Sequence, residues 1–592
     1  MARVNLSTLE ERTSGSPLGL DQGPLLGPIE RVDTNRVEVV ITDPMMAARV
    51  AVSELVALPV ADGFLIGMVE SLVRDTDAVL ASSAHDPLAT RVTMRVMPVG
   101  TLHRREDGGG SFRPGTSSHP HIGGDCYLVD GERFSAFMSL LGEDVPFGER
   151  LVLGHYVQDD TATAIADGNR LLQRHMAILG NTGAGKSWTV GLLIERAARL
   201  SHANMIVLDM HGEYGPLGRE TDGMEPVVRP LRIAGPGDLL FVADEVVHLP
   251  FWLLRLDELM SLVINPDDQF AADQRLCLTD RIQTLKRSAL AEMGRAEAVA
   301  TATVDSPVPY RLDDLIRWLQ NDDVDVIIRH PSGRVDPGPF NGKLGGLIAR
   351  LEARAADPRY GFIFHPPDRT ESEDWLVETS TKLLEAGRGD VGIKVIDFSE
   401  VPGPILPMVA GVLARLIYYV QFWMNPDDRT PVCIVCDEAH LYLPELDQPT
   451  PVQNVALEAF EAIAKEGRKY GVCMAVVSQR PSDVCRTILS QCNNFMILRL
   501  TNDQDQRVIE HLVSATLATI TGVLPMLDVG ETVLIGDAIL LPTRIKLDAP
   551  QIKPASVTMP YWSLWSRKPS SLDAIANGVE AMRNQWRGEP ET

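Results

Sequence analysis

Positive charge is scarce in this sequence. Its 592 residues hold 55 lysines and arginines against 80 aspartates and glutamates, a formal net charge of -25. A surface basic all over is therefore excluded. Any contact with a polyanion must be confined to a small lining where local positive charge displaces counterions. Cysteine is equally sparse. The seven thiols (126, 277, 433, 436, 473, 485, 492) are scattered through apolar segments, which points to a reducing compartment rather than a disulfide framework. Cys433 and Cys436 have half the spacing of a zinc site. No second Cys/His pair lies nearby and both sit inside an apolar run, so they read as small buried hydrophobes. The start, MARVNLSTLEERTSG, lacks the basic-then-apolar pattern of a secretory leader. Only one run, 403–423, is long and apolar enough to suggest a membrane span. Arg415 in its middle, and the strand that follows, make a buried core helix the expectation. No repeat of 20–50 residues is visible. Together these absences predict a cytoplasmic protein with no membrane segment.

What is present changes character along the chain. Residues from about 30 to 157 favour strands: RVEVVI (36–41), GFLIGMVESLV (63–73) and TRVTMRVMPVG (90–100) are rich in β-branched residues with turn-like breaks. Many short strands without long helices predict a small β-barrel within 1–160. The Gly/Ser/Pro-rich stretch 103–125 reads as a loop, and its histidines 103, 119 and 121 as solvated. From about 171, apolar strands alternate with helices: MAILG (176–180), NMIVLDM (204–210), IKVIDFS (393–399), VCIVCDE (432–438) and VCMAVVSQ (472–479). Such continuous apolar strands predict a parallel sheet buried on both faces. The fold class is therefore α/β, with the core split into 165–235 and 391–548. A mostly helical insertion is expected over 236–390, and a tail too small to fold alone over 549–592.

The strongest chemical signal is Gly180-Asn181-Thr182-Gly183-Ala184-Gly185-Lys186-Ser187, a G-x-x-x-x-G-K-S between the strand MAIL and the helix SWTVGLLIERAARL, with Trp188 a further candidate for nucleotide contact. Glycines let the backbone curl so that successive N–H groups and the helix N-terminus face phosphates. Lys186 is expected to reach the β- and γ-phosphates of ATP, and Ser187 to ligate Mg²⁺. The second signal is PVCIVCDEAH, an apolar run ending in two acids. Asp437 is expected to hold Mg²⁺ and its waters, and Glu438 to orient and deprotonate the attacking water. A P-loop followed by two such acids predicts a RecA-like ATPase core. Gln479 ends a third strand and is expected to sense the γ-phosphate. Arg468, in Glu466-Gly-Arg-Lys-Tyr470, is a candidate finger for transition-state charge. Arg480 is a candidate DNA contact. The tetrapeptide DEAH at 437–440 invites comparison with two-lobed helicases, but the QxxGRxGR motif of a second lobe is absent. One lobe per chain implies that ATP sites are completed between subunits.

Several further segments, in this order, resemble the HerA family of the FtsK–HerA superfamily. They are Asp209-Met-His-Gly-Glu213-Tyr214, Arg350-Leu-Glu-Ala-Arg-Ala-Ala-Asp357-Pro-Arg359-Tyr360, the stretch 465–471, LRLTNDQDQ (498–506) and LPMLDVGETVLIGDAILLPTRIKL (524–547). The resemblance implies an N-terminal HAS-barrel and a homo-hexamer that threads and moves duplex DNA. It also implies that Arg468 acts on a neighbour's ATP, that Asp209 and Glu213 lie near the nucleotide or an interface, and that Arg174 helps there. The tail would brace an adjacent subunit. The expected partner is a NurA-type nuclease in DNA end processing, or a nuclease or sirtuin-like NADase in defence against phage. An alternative is an ATP-dependent scaffold that activates a partner effector without processive translocation; the acidic net charge favours it. A membrane-anchored DNA pump lacks support in the absence of N-terminal apolar helices.

Overall fold

β-Branched runs near the N-terminus close on themselves. In the computed structural model the described residues are 17–74, 91–105, 110–116, 118–220, 223–235, 243–329, 333–446, 449–513, 521–556, 559–567 and 571–584. Residues 1–16, and parts of the 236–390 insertion and of the 549–592 tail, lie outside them. The chain divides into two compact units. One comprises Met1–Leu192, Gln479–Ser482 and Cys492–Pro550; the other comprises Leu193–Ser478, Asp483–Gln491 and Gln551–Thr592.

In the first unit, strands Val37–Ile41, Leu25–Val32, Asp125–Leu128, Leu55–Val60, Gly63–Arg74 and Val92–Arg104 follow one another antiparallel. The last pairs back onto the first, closing a six-stranded barrel. Alternate residues such as Val39, Leu58, Leu65, Met94 and Val96 are wholly buried inside it. The stretch expected to be a loop over 103–125 carries an additional edge strand, Gly110–Pro114. Phe112 explains it: the ring is buried and packs edge-on against Phe137 of helix Gly131–Glu143, with centroids 5.5 Å apart. A second sheet in this unit orders Met176–Leu179, Asn494–Ile497, Glu531–Gly536, Thr543–Leu547, Arg150–Tyr156 and Asp159–Asp167. Only its first pair is parallel. The expected domain boundary at 160 thus falls inside a hairpin that belongs to this sheet, not to the barrel.

The second unit holds an all-parallel sheet in the order Val246–Val247, Arg229–Ile233, Ile393–Asp397, Met205–Asp209, Val432–Cys436 and Val472–Ser478. Strands Met205–Asp209 and Val432–Cys436 are buried at every position, which is why they read as unbroken apolar runs. Helix Pro451–Glu466 starts at a capping box in which Thr450 and Gln453 satisfy each other's backbone N–H groups. Between Leu256 and Leu384 lie helices including Leu256–Val263, Ala271–Glu292, Leu312–Val324, Gly345–Ala356 and Trp375–Leu384. A hairpin of Val326–Arg329 and Arg334–Pro337 interrupts them.

The apolar run 403–423 forms helix Leu406–Trp423 after one 3₁₀ turn, and 78% of its most apolar window is buried in protein. Arg415 does not disrupt it because its guanidinium makes two 2.8 Å hydrogen bonds to Glu258 and a 3.0 Å bond to Leu253 O. Glu258 also accepts from the backbone N–H of Arg255 at 2.7 Å. Removing one member of a buried pair of this kind costs about 3–5 kcal/mol, because the other is left charged and unpaired.

Candidate nucleotide site

The candidate phosphate-binding loop is built in the first unit. Strand Met176–Leu179 is fully buried, and the loop leaves it through Gly180 before helix Lys186–Ala198. A side chain at Gly180 would meet Leu498 Cβ at 2.8 Å, so the loop packs closely on the adjacent strand's extension. Gly183 (φ 76°) and Gly185 (φ 108°) supply the left-handed backbone that turns successive N–H groups inward. The loop is held from both flanks. Asn181 donates from its backbone to Arg499 O at 2.9 Å and from Nδ2 to Thr501 Oγ1 at 2.6 Å, while Ala184 O accepts from Gly530 N–H at 3.2 Å. Lys186 is buried and reaches Asn181 O at 3.4 Å. Thr182 Oγ1 donates to Gln479 Oε1 at 2.5 Å. Trp188 is partly exposed on the helix's first turn.

An acidic strand edge is built in the second unit, where parallel strands end side by side. Asp209 and Asp397 are register partners, so their carboxylates leave the same face of the sheet edge. Asp209 accepts from the backbone N–H groups of His211 (3.3 Å), Glu213 (3.0 Å) and Tyr214 (2.9 Å), and so shapes the turn that follows it. Burial pushes Asp209 up to about 6, against those hydrogen bonds. Asp437 is pushed up to about 8, first by burial and then by the charges of Glu438, Asp209 and Glu213. Tyr214 and Tyr442 are wholly buried beside it, and the Tyr442 hydroxyl donates to Asp437 O at 3.1 Å. Glu438 has left-handed backbone (φ 44°, ψ 46°), unusual for a residue with a Cβ. Such strain costs about 1–3 kcal/mol and gathers at functional sites. The carboxylate oxygens gathered here are hard donors of the kind Mg²⁺ takes. Among the described residues no three His, Cys, Asp or Glu side chains form a metal cluster by themselves, and Cys433 and Cys436 are simply buried.

Sequence reasoning names Asp209, Glu213, Asp437 and Glu438 separately, and the fold brings these four together. It does not single out Asp397, although Asp397 ends an apolar strand just as Asp437 nearly does. It also passes over Thr501, which no spacing rule marks. Arg174 lies outside both groups: it pairs with Asp537 at 2.8 Å, and Asn493 Nδ2 reaches the same carboxylate at 3.2 Å. Arg468 lies on the exposed turn Gly467–Tyr470, which precedes strand Val472–Ser478. Because Val472 pairs with Val432, that turn sits at the opposite edge of the sheet from Asp437, five strand residues or about 16 Å away. Arg350 and Asp357, part of the resemblance, do structural work. Arg350 bonds Val263 O, Asp268 and Gln274, and Asp357 caps helix Pro358–Phe364.

Residues 151–417 match the family model described as the central domain of helicase HerA. A probable helicase of Methanocaldococcus jannaschii is 24% identical over 84% of this chain and 86% of its own length. The DNA double-strand break repair helicase HerA of Pyrococcus furiosus is 26% identical over 64% of this chain and 66% of its own. A second probable helicase of M. jannaschii reaches 33% identity over 64% and 66%. With a strand–P-loop–helix, a buried strand ending in two acids and these relatives, the chain belongs to the HerA family of ATPases.

Proposed function

We propose that this chain is the subunit of an ATP-driven motor that translocates on duplex DNA as a ring of identical copies, six in the family arrangement. The observation that carries the ring is the position of Arg468. It is exposed at the edge of the parallel sheet opposite Asp437 and Glu438, too far for its guanidinium to serve the ATP of its own chain. A finger in that place serves a neighbour.

In this reading Gly180–Ser187 and Trp188 hold ATP. Lys186 reaches its terminal phosphates, and Ser187 and Asp437 would hold Mg²⁺, which neutralises phosphate charge when bound. Glu438 orients water in line with the γ-phosphorus and takes its proton as the bond to the β–γ bridging oxygen breaks. Arg468 of an adjacent copy stabilises the charge that spreads over the transferred group. Asp209 and Glu213 shape the acidic edge, and Arg174 belongs to the subunit interface. Tail residues 551–555 are tied to their own chain, since Ile552 N–H donates to Glu195 and Ala555 N–H to Glu213 O. The exposed helices Tyr561–Arg567 and Leu572–Asn584 are what the tail has left to brace a neighbour.

The relatives named as double-strand break repair helicases favour a role in DNA repair; the partner expected there is a nuclease of the NurA type in DNA end processing, and the other expectation is a nuclease or sirtuin-like NADase in phage defence. The net charge of -25 favours a second reading, a scaffold that activates its partner without processive movement. The two separate on ATP turnover with and without duplex DNA. A motor is stimulated by the duplex and loses duplex unwinding in Lys186→Ala. Turnover indifferent to DNA, with partner activity still requiring the ring, would leave the scaffold.

A further inference from the structure

The contact between Thr182 and Gln479 constrains how the expected sensor works. Gln479 follows strand Val472–Ser478, and Thr182 is the third residue of the phosphate loop. Thr182 Oγ1 donates to Gln479 Oε1 at 2.5 Å. A carboxamide has an accepting end and a donating end. With the accepting end engaged by the loop, Nε2 is the end that stays available, and among the described residues it has no partner.

We propose that Thr182 is a positioning residue that fixes the Gln479 amide so that its N–H groups, not its oxygen, meet the γ-phosphate. The consequence is chemical. Phosphate oxygens accept hydrogen bonds, whereas ordering the attacking water for proton removal calls for an acceptor on the protein. Held in this way, Gln479 donates to the γ-phosphate and leaves the water to Glu438. A free amide would have to choose between two orientations of nearly equal shape. A hydroxyl can donate or accept; here it donates to Oε1, which leaves Nε2 facing outward before ATP arrives as a preorganised donor. Thr182 is carried on the phosphate loop, so the amide is tied to the segment that grips the phosphates. Loss of the γ-phosphate removes the partner of Nε2 without breaking the tie. This inference rests on the ATPase reading above and assigns within it a role not given by the P-loop pattern, in which this position is unspecified.

The test is a double-mutant cycle on full-length protein with Thr182→Val, Thr182→Ser, Gln479→Ala and the Val/Ala double variant, reading kcat and KM for ATP. One neutral hydrogen bond is worth a factor of about 3–10. Thr182→Val should lower kcat by that factor with KM nearly unchanged, and Thr182→Ser should restore it. In the Gln479→Ala background Thr182→Val should have no further effect, because the threonine acts through the amide. Multiplying effects, or failure of serine to rescue, would overturn the proposal. The same cycle read as the ratio of ATP to ADP affinity needs no turnover. Thr182→Val and Gln479→Ala should each reduce that ratio, and the double variant no more than Gln479→Ala alone; an unchanged ratio in Thr182→Val would also overturn it. A wild-type chain that binds ATP but never hydrolyses it contradicts the motor and leaves this ratio to decide on Thr182.

Discussion

The phosphate loop and the acidic strand edge solve opposite problems. The loop is satisfied: Asn181, Thr182 and Ala184 each have a partner within 3.2 Å, and glycines absorb the left-handed turns at 183 and 185. The acidic edge is crowded with like charge. Asp437 is buried among like charges and pushed up to about 8, and Glu438 holds a backbone conformation suited to glycine. A loop that must grip phosphates gains from being built in advance. In the proposed function the edge holds a cation and activates water, and binding relieves its strain and repulsion. The difference predicts that substitutions in the loop damage what is formed, while some substitutions at the acidic edge stabilise the empty protein and still destroy its activity.

The largest effect is expected at the acidic edge. Glu438→Gln should lower kcat by about 10²–10⁴ while ATP binding persists, since only the proton acceptor is lost; near-normal single-turnover hydrolysis would remove Glu438 from that role. In the loop, Gly185→Ala places a Cβ at φ 108° and 3.4 Å from Gly530 N. The strain of about 1–3 kcal/mol should weaken ATP binding roughly tenfold or more in equilibrium titration. Affinity unchanged by that alanine would mean that the loop is not the preorganised half. Mg²⁺ without nucleotide should raise the melting temperature of the wild type by a few degrees through preferential binding to the folded state. Asp437→Asn should melt higher than wild type in chelator and respond little to Mg²⁺. The smallest effect is expected for Glu438→Gly, which should stabilise the chain by about 1 kcal/mol by relieving the left-handed strain, measured by urea denaturation, while abolishing turnover.

Much of this site is legible in the sequence, for a physical reason. A P-loop depends on residues adjacent in the chain, so Gly180–Ser187 carries its geometry in its spacing. A strand buried on both faces is apolar throughout, so its terminating acids at Asp437 and Glu438 stand out. What spacing cannot carry is the order of strands. That Asp397 lies beside Asp209, and that Gln479 meets Thr182 across almost 300 residues, follow from which strands are neighbours. The hairpin Arg150–Asp167 illustrates the same limit. Its alternating residues suit either a barrel or a sheet edge, and its partner Thr543–Leu547 lies nearly 400 residues away. The buried Arg415 is foreseeable as a core residue from its helix, but its partner Glu258 is identified only by packing.

The proposal that catalysis is shared between copies rests on the position of Arg468. Mixing Arg468→Ala with Glu438→Ala protein, each defective alone, tests it directly by steady-state ATP hydrolysis across mixing ratios. If each ATP is served by the glutamate of one chain and the arginine of the next, mixed assemblies contain some intact sites and turnover rises above that of either variant. Turnover that never exceeds the two parents at any ratio, in assemblies shown by mass to contain both, would contradict a shared site.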